Sequence, residues 1–103
     1  MFARVSRFEI ANDRIDKDID QTREVLSQAV GRLAGARGLY YLVDRENGIT
    51  MAVTLWEDAE AMRTSEEEAT RIRGEAAAAE GGKILSVERF EVALQPSDVM
   101  PGK

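Results

Sequence analysis

The most constraining feature of this chain is the run Asn47 to Ser65, NGITMAVTLWEDAEAMRTS. Asn-Gly readily adopts the left-handed conformations of a tight reversal, so Asp44-Arg-Glu-Asn-Gly48 predicts a hairpin loop. The apolar, aromatic run Leu39 to Val43 (LYYLV) before it and Ile49 to Leu55 after it supply the two strands. In the second strand Ile49, Met51, Val53 and Leu55 point one way; Thr50, Ala52, Thr54 and Trp56 point the other. That second face is lined by small residues, which leaves space beside Trp56, the only tryptophan. Asp58 is placed to cap a helix that starts at once. A Trp at such a corner sits on the seam between a sheet and its covering helix, where a ligand pocket can open.

The flanking segments complete an alternation of strands and helices. Phe2 to Ile10 reads as a strand with apolar residues at even (Phe2, Phe8, Ile10) and odd (Ala3, Val5) positions; Arg4 and Arg7 read as its solvated edge, with a ligand-anchoring role as the alternative. Asn12 and Asp13 are the expected N-caps of the next helix. Its stripe is Ile15, Ile19, Thr22, Leu26, Ala29 and Leu33, with Asp, Glu, Lys and Arg on the opposite side. Gly31 weakens its last turns, and GARG, residues 35–38, ends it. A short helix, Asp58 to Met62, precedes a longer one opened by a Ser65-Glu-Glu-Glu68 capping box. The inner stripe of the longer helix is Ala69, Ile72 and Ala76, and Gly81-Gly82 stops it. Lys83 to Leu94 is the last strand. Residues 1–95 are expected to form one domain and residues 96–103 a loose tail.

Strand, helix, strand, strand, broken helix, strand gives an α+β, ferredoxin-like split β-α-β fold (βαββαβ), an antiparallel four-stranded sheet with its helices on one face. The open face would carry apolar side chains from every strand, which is unfavourable in water. A homodimer through the sheet faces is therefore expected.

Composition narrows the chemistry. With no Cys and no His among 103 residues, thiolate chemistry, imidazole bases and imidazole metal ligands are excluded. The mixed-sign net charge of −5 argues against a nucleic-acid or anionic-membrane surface. No apolar run reaches the roughly 20 residues of a membrane span, and the N-terminus lacks a signal-peptide core, so a cytoplasmic location is expected. The acidic run Glu66-Glu67-Glu68 fans around a helix instead of converging, and no metal site is expected there.

MFARVSRFE, GLYYLVDRENG and VTLWEDAEAMRTSEEEATRIRGEA together resemble the antibiotic biosynthesis monooxygenase domain of the dimeric α/β-barrel superfamily, over residues 2 to 94. The most specific part is Trp56-Glu57-Asp58-Ala59-Glu60-Ala61. The resemblance implies a pocket between sheet and helices and, for some members, cofactor-independent oxidation of aromatic polyketides with O2. Those members employ an Asn four residues before the Trp, a Tyr six after it and an Arg on the following helix. Here Trp56 matches, Ala52 and Met62 stand at the two polar positions, and Arg73 corresponds to the helix Arg. The haem-cleaving branch uses a His ligand that this chain lacks.

Two functional expectations follow. One is a cofactor-free monooxygenase for a small phenol, hydroquinone or polyketide-like aromatic, with Trp56 and Arg73 as catalytic candidates. Tyr41, Tyr40, Ala52, Thr54, Met62 and Ile72 would then form the substrate pocket, only one of the two tyrosines reaching it because neighbours on a strand face opposite ways. The other is a small-molecule-binding or structural dimer without turnover, in which Trp56 is a seam residue and Met62 a gap filler.

Overall fold

The computed structural model describes residues 1–29, 34–79 and 81–100. Four strands, β1 (Phe2–Glu9), β2 (Ala36–Asp44), β3 (Ile49–Trp56) and β4 (Lys83–Glu91), form one antiparallel sheet in the order β2-β3-β1-β4. The helices are α1 (Ile15–Ala29), α2 (Ala59–Thr64), α3 (Glu66–Ala79) and a short α4 (Pro96–Val99). This is the α+β ferredoxin-like βαββαβ arrangement, with β1 and β3 central because each βαβ unit returns its strand beside the other.

The Asn-Gly turn forms as its chemistry dictates. Gly48 has φ +67°, and a Cβ there would lie 2.6 Å from the Ile10 carbonyl oxygen, so only glycine fits. The Asp44 carboxylate accepts from the Asn47 backbone (3.2 Å) and side-chain amide (2.9 Å), which lowers its pKa. The Gly48 carbonyl takes the Ile10 N–H at 2.8 Å, fastening the hairpin to the end of β1. There Phe8, Ile10 and Ile15 form a core, joined by Ile19, Val43 and Ala52. Each of the first three contributes about 1.5–3 kcal/mol of burial.

Asp58 caps α2, its carboxylate accepting from Ala61 N at 2.8 Å. Other expectations need correction. Asn12 and Asp13 cap nothing: residues Asn12–Arg14 form a 3-10 turn, and Ala11 precedes it without a side-chain cap. The Ser65 hydroxyl donates to the Met62 carbonyl (2.8 Å) and accepts from Arg4 (2.8 Å), a tertiary role that a local capping pattern does not reveal. Part of the expected tail is α4, whose Asp98 carboxylate accepts from Gln95 N at 2.7 Å. Gly31 and Leu33 lie outside the described residues, as do the side chains of Ala29 and Ala76. No described helix is long and apolar enough to cross a membrane.

Candidate functional site

Sheet register explains why a hollow exists beneath the helices. Across the helix-covered face, Ala52 on β3 stands between Ser6 on β1 and Tyr41 on β2. Two very small side chains in the middle row leave the helices without filling atoms opposite. Thr22 on α1 and Ala69 and Ala77 on α3 are also short. The result is a cavity with about 80 Å³ open to water-sized centres, lined almost wholly by carbon. A single water needs roughly 10–15 Å³, so the space has room for something larger.

Trp56 forms one wall and is only 1% exposed. Its indole N–H donates to Thr54 Oγ1 at 2.9 Å, which fixes the ring plane. Tyr41, Ala52, Thr54, Ile72 and Arg73 line the same cavity. Two other residues do not join them. Tyr40 lies on the opposite face of the sheet, 62% exposed, because it alternates with Tyr41 along β2. The Met62 side chain is buried in α2 away from the cavity walls, and its carbonyl serves as an acceptor for Arg4.

Two charged residues, a type usually left in solvent, are buried walls. Arg4 is 2% exposed. Its Nη2 donates to the Met62 carbonyl and Ser65 Oγ, both at 2.8 Å, and lies 3.1 Å from Glu66. Its guanidinium carbon stands 5.1 Å from the centre of the Trp56 ring, a cation–π distance. Burial lowers the Arg4 pKa, and the neighbouring Glu66 carboxylate opposes that shift. Glu66 also accepts two bonds from Arg89, at 2.8 and 2.7 Å. Those bonds, with the charge of Arg4, hold the Glu66 pKa down at about 2 against the opposite pull of burial.

Asp18 is the second, 3% exposed on α1. Tyr41 donates its hydroxyl to the Asp18 carboxylate at 2.5 Å. Burial first, and this bond second, push the Tyr41 pKa up to about 12. At neutral pH the phenol is therefore a donor, and the Asp18 carboxylate is its acceptor.

Both residues left a trace in the sequence. Arg4 shares the even positions of Phe2, Phe8 and Ile10, and Asp18 stands three residues after Ile15 and four before Thr22, on the apolar stripe.

No protein-family model matches the chain. Two uncharacterised Mycobacterium tuberculosis proteins, Rv2557 and Rv2558, are 36% and 35% identical to it over 98 residues. Those matches cover 95% of this chain but only 43% and 41% of the relatives, so the chain spans less than half of their length. Among solved structures, an antibiotic biosynthesis monooxygenase superposes with a TM-score of 0.63 at 18% identity, covering 91% of this chain and 100% of the other. A variant of SnoaB, a cofactor-independent oxygenase from Streptomyces nogalater, gives 0.61 at 16% identity over 91% and 94%. The M. tuberculosis haem degrader MhuD, with two haems bound, gives 0.62 at 21% identity over 92% and 98%. The fold is the one seen in the antibiotic biosynthesis monooxygenase structures. Identities this low establish the fold and leave activity to the site itself.

Proposed function

We propose that the chain binds a small aromatic hydroxy compound under its helices and oxidises it with O2, without a cofactor. The observation that carries this reading is the Asp18–Tyr41 pair, a carboxylate and a high-pKa phenol on the wall of an otherwise apolar cavity. Asp18 accepts the phenolic proton and Tyr41 donates to the oxygen left behind. The resulting anion is electron-rich enough to pass one electron to O2. Recombination gives a carbon-bound hydroperoxide, which loses water to leave a quinone carbonyl. One oxygen atom thus enters the product and the other leaves as water. Trp56 and Ile72 keep the site dry, which sustains the anion's reactivity. Arg73, a further wall residue, stabilises the developing negative charge.

Oxygen uptake with a dihydroxy-aromatic tests this. One O2 per quinone is expected in the wild type, and Asp18→Asn should lower kcat by about 10²–10⁴ with binding retained. Wild-type binding without uptake above autoxidation overturns turnover. It leaves the second reading, a ligand-binding protein without chemistry. One feature favours that alternative: the Trp56 N–H is already committed to Thr54, so the indole offers a ligand only its ring.

We also infer a homodimer through the outer sheet face. Tyr40, Leu42 and Phe90 remain 62%, 49% and 50% exposed there, beside Val5, Met51, Val53 and Leu55. A face so apolar is covered in stable proteins, and a second copy presents the matching surface.

A further inference from the structure

One end of the cavity carries more positive charge than the chain neutralises. Arg4, Arg73 and Arg89 gather around Glu66, and among the described residues Glu66 is the one carboxylate paired with any of them. Arg89 and Arg4 both draw on it. Arg73 makes one hydrogen bond among the described residues, to the neutral Thr70 hydroxyl at 3.1 Å. Burial lowers the Arg73 pKa and repulsion from Arg4 lowers it further, while Glu66 compensates only in part. The Nε of Arg4 is buried and has no hydrogen-bond partner. A buried donor without a partner costs about 1–3 kcal/mol, and a buried guanidinium short of counter-charge costs more. Arg4 and Arg73 both line the cavity, so an anion there would add the counter-charge that this end lacks.

We propose that the cavity's ligand is an aromatic carboxylate, its carboxylate seated on Arg4 and Arg73 and its hydroxyl toward the Asp18–Tyr41 pair. The inference rests on the pocket reading above and adds the ligand's charge. Guanidinium suits this role because its fork matches a carboxylate's two oxygens. Stacking of Arg4 on Trp56 couples the anion site to the indole, so occupancy should change the fluorescence of the only tryptophan.

The test compares 2,5-dihydroxybenzoate with 1,4-dihydroxybenzene, the same ring and hydroxyl pair with and without the carboxylate. Both are titrated anaerobically into the full chain by calorimetry and Trp56 fluorescence. The carboxylated compound should bind about 10-fold more tightly or better. Arg73→Gln should remove most of that advantage, read as the ratio of the two affinities within the variant. Arg71→Gln, an exposed substitution on the same helix, should preserve the advantage. Equal affinity of the two compounds, or a full advantage retained in Arg73→Gln, overturns the carboxylate assignment and leaves the pocket standing. Binding of neither compound overturns the pocket and this inference together.

Discussion

The two faces of the sheet leave different things unmatched: the helix-covered face buries polar groups among its apolar core, and the open face exposes apolar side chains. The face covered by helices carries Arg4, Ser6, Thr50 and Thr54, with Asp18 and Glu66 brought down onto it. The face left uncovered within one chain carries Val5, Tyr40, Leu42, Met51, Val53, Leu55 and Phe90, with the charged Arg7 and Glu88 among them. Hydrophobic burial alone accounts for neither the buried polar groups nor the exposed apolar ones. Each departure implies a cause outside the single chain. Buried ionic groups around a hollow suit a ligand, and an apolar outer face suits another copy.

The largest effect is expected on the outer face. In Leu42→Lys combined with Phe90→Lys, the substituted side chains are half exposed in one chain, so the monomer accommodates them. Set against a second copy, the new charges would be desolvated without partners, at several kcal/mol each. Sedimentation should show two copies for the wild type and one for the variant, with the circular dichroism of a folded domain in both. A double-lysine variant that still pairs would refute the face-to-face assembly.

On the covered face, Glu66→Gln should cost about 3–5 kcal/mol in chemical denaturation, because Arg4 stays buried after its counter-charge is gone. The pH profile supplies the sign. The Glu66 pKa is about 2 in the folded chain against an ordinary 4.5. Its stabilisation is therefore present above pH 4.5 and lost as the pH falls toward 2. The variant should lack that part of the acid loss. A cost below about 1 kcal/mol would place the pair among ordinary surface bridges.

The unequal legibility of the two faces in the sequence has a physical origin. The outer face is written in local alternation: Ile49, Met51, Val53 and Leu55 on β3 share a side by geometry alone. The Asn47-Gly48 turn and the Asp58 cap are also local, and both formed at the expected residues. Charge alone favours solvent for Arg4 over a buried anchoring role. Its burial depends on the Met62 carbonyl and on Ser65, 58 and 61 residues away. Asp18 stands three residues after Ile15 and four before Thr22, on the apolar stripe, where its charge alone would not put it. Partners that distant are supplied by tertiary structure, which composition and periodicity do not encode.

The Asp18–Tyr41 pair gives the smallest effect and the finest separation of a built site from ordinary packing. Tyr41→Phe keeps the ring and its contacts and removes one hydrogen bond to a buried carboxylate, so a loss of about 2 kcal/mol is expected at neutral pH. The alkaline limb is more diagnostic. Tyr41 titrates at about 12 in the folded chain and at 10.0 when unperturbed. Above pH 10 the unfolded chain gives up this proton first, so the stabilisation fades as the pH rises toward 12. The difference in unfolding free energy between wild type and Tyr41→Phe should therefore shrink across that interval, while other titrating groups cancel. A constant difference from pH 8 to 12 would mean that the phenol is not held protonated against Asp18. The covered face would then be a packed interior that happens to contain a carboxylate, and the asymmetry between the two faces would reduce to the need for a partner on the outer one.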